Sequence, residues 1–252
     1  GSRYSHSNIR PMNFLTGQIL AFEKPLGMTS FGLVAKVRWL LTRRMGGKKI
    51  KVGHAGTLDP LASGVMIICT GRATKQIEQL QAGVKEYIAT LRLGATTPSF
   101  DLEHDIDATF PTAHITEAAV RQVLTQFIGE IMQVPPAFSA CKVDGKRAYD
   151  LARKGKDVEL KAKPLRIDEI ELLRCELGHE EHPQITIRVI CSKGTYIRAL
   201  ARDIGQALKS GAHLTALRRT RVGSYGEETC FTLENFEKWL EGIEVETDLP
   251  RN

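Results

Sequence analysis

Between Gly53 and Gly64 the chain reads Gly-His-Ala-Gly-Thr-Leu-Asp-Pro-Leu-Ala-Ser-Gly, and its one carboxylate, Asp59, is the residue whose setting most invites chemistry. Three glycines and a proline in twelve positions describe backbone that turns tightly or takes positive φ, which predicts a loop rather than a helix or a long strand. Asp59 is the only acid between Glu23 and Glu78, and the seven cations of residues 36–51 precede it: Lys36, Arg38, Arg43, Arg44, Lys48, Lys49 and Lys51. A solitary carboxylate in such company is either a helix or turn cap, since Asp before Pro is a common turn opener, or a working group. The run Val65 to Cys69 that follows has the length and apolar character of a buried strand, so the loop feeds the core.

The bulk composition restricts what surrounds this loop. A chain of 252 residues with 42% hydrophobic and 25% charged residues is that of a globular, soluble protein. Its longest apolar run, 65–69, is far short of the ~18 residues of a membrane span. Residues 1–12 lack an apolar signal core and read as an expression remnant or disordered lead, with Met12 a candidate native start. Five scattered cysteines (Cys69, Cys141, Cys175, Cys191, Cys230) without a C-x-x-C pair argue for a reducing cytoplasm and against a disulfide framework or a zinc site. His179 and His182 fall in a polar loop and read as a solvated turn rather than a metal pair.

Net charge is +6, and its distribution is more telling. Residues 36–51 hold seven basic residues and no acid; residues 142–166 hold nine basic residues against four acids; residues 227–248 hold eight acids against Lys238 alone. This polarity predicts a face for a polyanion and an acidic tail kept away from it.

The elements that must position Asp59 follow from periodicity. A strand is expected over 17–23, then a turn from Lys24 to Ser30, with Ser30 capping a helix that turns Phe31, Val34, Val37 and Leu41 inward and stops before Gly46-Gly47. Lys48 to Lys51 reads as a mobile basic loop. A helix from Gly71 to Gly83 is followed by an alternating strand, Lys85 to Leu93, with Tyr87 near its start. Residues 99–112, with Asp101, Glu103, Asp105 and Asp107, read as a solvated acidic loop without the glycine and terminal glutamate of a calcium loop.

Thr116 caps a helix with Val120, Val123, Leu124, Phe127 and Ile128 on one stripe. Pro135-Pro136 and the basic stretch after it suggest an arm, with a short helical pattern at 149–154. Strands at 167–175 and 184–191 precede a helix with Ile197, Leu200, Ala201, Ile204 and Leu208 inward and Gly211 at its C-terminal stop. Arg198 on the first turn of that helix opposes the macrodipole and calls for a nearby anion. A strand at 214–222 and a helix from Thr232, with Phe231 and Phe236 as a hydrophobic staple, complete an α+β or mixed-sheet pattern.

Five segments, in order, resemble the TruB family of tRNA pseudouridine-55 synthases. They are Lys24-Pro25-Leu26-Gly27-Met28-Thr29-Ser30, the Gly53–Gly64 loop, Lys85-Glu86-Tyr87, Pro135 to Lys142 with Gly145-Lys146, and Cys191 to Arg198. The resemblance spans about residues 17–225. It implies a mixed, largely antiparallel central sheet flanked by helices, the pseudouridine synthase fold, as one catalytic domain over 13–252. A basic thumb-like RNA-binding insertion would occupy about 135–165, and the chain has no length for the small PUA domain that many members carry.

The same resemblance assigns roles residue by residue. Asp59 would be the catalytic carboxylate, Arg198 its cationic partner, and Tyr87 the ring that stacks on a flipped uridine and a candidate to accept its proton. His54 would help hold the RNA loop open, and Lys24, Pro25, Gly56, Thr57, Leu58, Tyr196, Lys142, Lys146 and Arg147 would contact substrate. It implies a cytoplasmic, monomeric enzyme acting on the T-arm of tRNA, with no cofactor, no metal, no DNA and no membrane. Ala55, where the family has threonine, and Pro98-Ser99-Phe100 depart from the pattern. A non-catalytic tRNA-folding chaperone is the alternative reading, and general RNA or DNA binding a third.

Overall fold

The computed structural model describes residues 10–136, 142–143, 146–147, 160–178 and 182–250. In chain order the principal elements are β1 (Ile19–Lys24), α1 (Ser30–Arg44), β2 (Val52–Ala55), β3 (Ala62–Thr70), α2 (Ile77–Gln81), β4 (Lys85–Leu93) and α3 (Glu117–Thr125). After them come β5 (Gly129–Gln133), β6 (Lys163–Glu176), β7 (Gln184–Cys191), α4 (Ile197–Ala207), β8 (Ala212–Val222) and α5 (Leu233–Gly242). The fold is α+β with mostly antiparallel strands. The chain divides into two compact units, one of residues up to Gly83 together with those from Thr220 onward, the other Val84–Arg219.

In the first unit β3 is the organising strand. Val65 to Cys69 are all fully buried, which is why this strand lacks the polar alternation of a half-exposed one. β1 pairs antiparallel with it from Ile19 opposite Cys69 to Lys24 opposite Gly64, and β2 pairs with it from Val52 opposite Thr70 to Ala55 opposite Ile67. Leu33, Val34, Val37, Leu40 and Leu41 of α1 pack with Phe22, Met66, Ile68 and Phe236 in one core cluster. Each such side chain is worth about 1.5–3 kcal/mol in burial.

Thr232 caps α5 by accepting from Asn235 N at 3.0 Å, and the expected staple forms, the Phe231 and Phe236 rings meeting edge-on at 5.4 Å.

The second unit holds an antiparallel sheet in which β4 pairs with β7, β7 with β6, and β6 with β5. Ala89, Leu91 and Leu93 of β4 and Ile185, Ile187 and Val189 of β7 supply its inner face. Val120, Val123 and Leu124 of α3 and Ile197, Leu200, Ala201 and Ile204 of α4 join the same cluster. Arg188 on β7 ties three strands on the other face, reaching Glu86 at 3.1 Å, Glu171 at 2.9 Å and Glu169. The Glu171 hydrogen bond, then those to Glu86 and Glu169, raise its already high pKa.

Several expectations are corrected. Thr29, not Ser30, caps α1, accepting from Gly32 N at 2.8 Å, and Ser30 turns inward as the first helical residue. Phe31 is not on the inner face but 75% exposed; Val34, Val37 and Leu41 are buried as expected, joined by Leu33 and Leu40 on the same stripe. Residues 52–55 and 62–64 belong to strands, so the loop is confined to 56–61. Ile128 lies beyond α3 and is exposed. Leu208 is the C-cap of α4, and Lys209, with φ 56°, takes the left-handed position expected of Gly211.

The acidic tail is not held away from the basic segment but sits on it. Arg43 pairs with Glu237 at 3.2 Å, Arg44 donates to the carbonyls of Leu240 and Ile243, and Lys48 reaches Asp248 at 3.0 Å and the Thr247 carbonyl. Opposite charges attract, and the orphan carbonyls at the end of α5 need donors. Residues 48–51 are accordingly anchored, with Ile50 buried. The helical pattern at 149–154 lies outside the described residues.

Candidate active site

The Asp59 loop is built by the first unit. Gly56, with φ 90°, and Gly64, with φ 116°, flank it at backbone angles that a side chain would disfavour. Between them Asp59 to Ala62 form a turn closed by Ala62 N–H donating to the Asp59 carbonyl at 2.9 Å, with Pro60 at the second position where its fixed φ suits the turn. The Asp59 side chain is exposed and takes no capping bond among the described residues; the caps nearby are Thr29 and backbone groups. Asp59 thus opens the turn through its backbone carbonyl, and its carboxylate takes no part in closing it.

Ser30 fastens this loop to α1. Its buried Oγ donates to the Leu58 carbonyl at 2.7 Å and accepts from the Leu58 N–H at 2.8 Å, fixing the residue next to Asp59 from both sides. The Gly27 N–H donates to the Pro60 carbonyl at 2.7 Å, joining the turn after β1 to the same loop. Lys24 is fully buried, and its ammonium donates to the carbonyls of Pro25 at 2.9 Å and Met28 at 2.6 Å. Its visible work is to hold that turn closed. Leu58 is buried, whereas Thr57 and Pro25 are exposed; His54 and Gly56 are half-buried, with His54 opposite Ile68 on the ladder.

Tyr87, Tyr196 and Arg198 belong to the second unit. Tyr87 is half-buried on β4 opposite Val189 and packs against the core cluster. Tyr196 is the residue before α4, and the buried Gln133 side chain grips its backbone, accepting from Tyr196 N–H at 3.0 Å and donating to its carbonyl at 3.2 Å. This replaces a side-chain N-cap, and the composition of the segment gave no hint of it.

The anion that Arg198 calls for is present in its own unit. Arg198 Nη1 lies 3.8 Å from Asp101 Oδ2, with both side chains about nine-tenths buried. Asp101 is fixed by Ser99 Oγ at 2.5 Å, by the Glu103 N–H at 2.9 Å, and through its own backbone by Thr97 Oγ1. Residues 97–101 are thus a folded, buried anchor rather than a solvated loop. The signal that could have revealed it is the Ser99-x-Asp101 spacing, which suits local side-chain to backbone turns.

Lys85, at the head of the segment that holds Tyr87, is also buried. Burial, then the charge of Arg219, holds its ammonium below the ordinary lysine range. Lys142 is paired with Arg147, and Val143 with Lys146, in a short antiparallel ladder.

A TruB family pseudouridylate synthase N-terminal domain matches residues 43–197, and a tRNA pseudouridylate synthase B C-terminal domain matches residues 198–249. The tRNA pseudouridine synthase B of Bacteroides thetaiotaomicron is 66% identical over 96% of this chain and 100% of its own. That of Phocaeicola vulgatus is 68% identical over 93% of this chain and 98% of its own. Among solved structures, a chain of a Cbf5-Nop10-Gar1 complex is 31% identical with a TM-score of 0.66 over 92% of this chain, which spans 58% of that longer chain. With matched domains from Arg43 onward and relatives alike along nearly their whole length, this chain belongs to the TruB family of pseudouridylate synthases.

Proposed function

We propose that the chain converts the T-loop uridine of tRNA, position 55, into pseudouridine, working as a monomer with residues 13–252 as its catalytic domain and about 135–165 as an RNA-clamping arm. The observation that carries this is Asp59: an exposed carboxylate with no capping duty, on a turn held from both sides by Ser30. A group so held is positioned without being consumed by the fold.

The reaction breaks the N1–C1′ glycosidic bond, turns the uracil, and joins C5 to C1′; the proton on C5 leaves, and N1 ends protonated. Uracil is a competent leaving group, so the residues needed are a carboxylate to hold sugar or base during the exchange and a group to take the C5 proton. Asp59 fills the first role and Tyr87 the second. Arg198, oriented in its own unit by Asp101, supplies the positive charge that keeps a carboxylate ionised in a site closed over a base.

The uridine must leave its stack, at a cost of a few kcal/mol, which an RNA loop lowers by presenting splayed bases. His54, Thr57 and Pro25 of the first unit and Tyr196 of the second each contribute RNA contacts, and Lys142, Lys146 and Arg147 clamp the backbone. Each isomerisation frees the hydrogen on C5, so tRNA labelled with tritium there reports turnover directly. Wild-type protein is expected to release one tritium per tRNA, and a transcript with cytidine in place of the T-loop uridine none. Equal release from both transcripts refutes the site preference, and no release from either refutes the activity.

A further inference from the structure

Helix α1 carries Lys36, Arg38, Arg43 and Arg44 and no acid, yet these cations do different work. Arg38 donates to the Val52 carbonyl and Arg44 to carbonyls at the end of α5, so both are engaged in holding the fold. Lys36 and Arg43 instead flank Trp39. The Lys36 ammonium lies 4.6 Å and the Arg43 guanidinium 4.7 Å from the indole centroid. Residues 36, 39 and 43 are spaced i, i+3 and i+7, so they form one ridge about 10 Å long. Trp39 is 51% exposed.

An indole left half in water normally represents lost burial, and two long cations lying on it give up side-chain entropy. Together the three residues make a surface whose charges are held at fixed places before any ligand arrives. The Arg43 partner Glu237 is a weak competitor. Both side chains of that pair are about half exposed, and such pairs contribute little in water.

Resting on the proposed tRNA reaction, we infer that the Lys36-Trp39-Arg43 ridge is a second RNA-docking surface that binds phosphates of the double-helical stem next to the flipped uridine. Ser30, which pins the Asp59 loop, is the first residue of the same helix, and the ridge lies about 10–20 Å from it along the axis. The ammonium meets a phosphate as a point charge and the guanidinium can do so bidentately. Trp39 acts as a prop for both, so it is a positioning residue.

The test measures the tRNA dissociation constant from 50 to 300 mM salt and, separately, tritium release in a single turnover at saturating enzyme. For Lys36→Gln with Arg43→Gln, the slope of log affinity on log salt should shrink by about 1.5 and the dissociation constant rise roughly tenfold, with the saturating rate unchanged. Trp39→Phe, which keeps a ring under the cations, should stay near wild type, while Trp39→Ala weakens binding without lowering the melting temperature by more than a few degrees. Glu237→Gln, which frees Arg43, should bind at least as tightly as wild type.

A double variant with wild-type affinity and salt slope overturns the inference, as does a Glu237→Gln protein that binds less tightly. If wild type releases no tritium while the double variant still loses salt-dependent binding, the enzymatic reading falls and the ridge stands.

Discussion

The smallest change expected to separate positioning from binding is Ser30→Ala. Its hydroxyl satisfies both the N–H and the carbonyl of Leu58 in a buried setting, at 2.8 and 2.7 Å. Removing it leaves two buried backbone groups without that partner, at about 1–3 kcal/mol each. Alanine recovers at most a few tenths through helix propensity, and Thr29 still caps α1. The net loss is about 2–5 kcal/mol, a fall in melting temperature of roughly 4–20 °C for a chain of this size.

The catalytic consequence should exceed the binding one, because the freed segment adjoins Asp59 and no RNA contact is deleted. A displacement near 1 Å costs about 100-fold in rate. The saturating single-turnover rate of tritium release should therefore drop between about 10- and 100-fold at unchanged tRNA dissociation constant, read below the lowered melting point. A variant as stable and as fast as wild type would refute the claim that Ser30 places the loop, and so would a loss confined to affinity.

Three further outcomes are expected. Arg198→Lys keeps the charge but loses the planar guanidinium that lies beside Asp101, so the saturating rate should fall at least about tenfold; an unchanged rate would remove Arg198 from the chemistry. His213 is buried with Nδ1 at 2.8 Å from the Ala95 carbonyl, and burial lowers its pKa below 6.5. Its contribution to stability is complete above about pH 6.5 and is lost as pH falls through the lower folded value. The melting temperature should accordingly drop on acidification from pH 7 to 5, less steeply in His213→Gln, and equal slopes would contradict this.

Burial pushes the thiols of Cys69 and Cys191 up to about 11. Iodoacetamide at pH 8 should then modify the half-exposed Cys175 and Cys230 in the native protein and reach Cys69 and Cys191 only after denaturation. Peptide mass analysis showing early labelling of either buried thiol would refute it.

Periodicity was a good guide wherever one face of an element is simply apolar. The alternation of Lys85 to Leu93 gave β4 at its observed bounds, and the inward residues of α4 and the Phe231/Phe236 staple were equally readable. It misled where a polar side chain does an interior job. Ser30 looked like a cap because its type suits one, but its hydroxyl is committed to Leu58, and Thr29 takes the cap; Phe31, on the first turn, lies outside the stripe. Lys209 shows the limit of reading helix stops from glycine alone.

Of the site, Asp59 stood out because it is alone among cations, and Arg198 because it opposes a dipole. Asp101 hid among four alternating acids, of which it alone is buried, and Gln133 hid because a buried amide gripping a distant backbone leaves no local pattern. Charge runs were readable as sums but not as partners: the acidic tail and the basic segment each stood out in the sequence, and only their ion pairs in the fold show that they meet.

The account stands or falls on the Asp59 carboxylate. Asp59→Asn keeps the size of the side chain and the Asp59–Ala62 backbone turn while removing the charge and the nucleophile. Measured by tritium release from C5-labelled tRNA at saturating enzyme, this variant should bind tRNA with wild-type affinity and release nothing above background. Release at a rate near wild type would contradict the account.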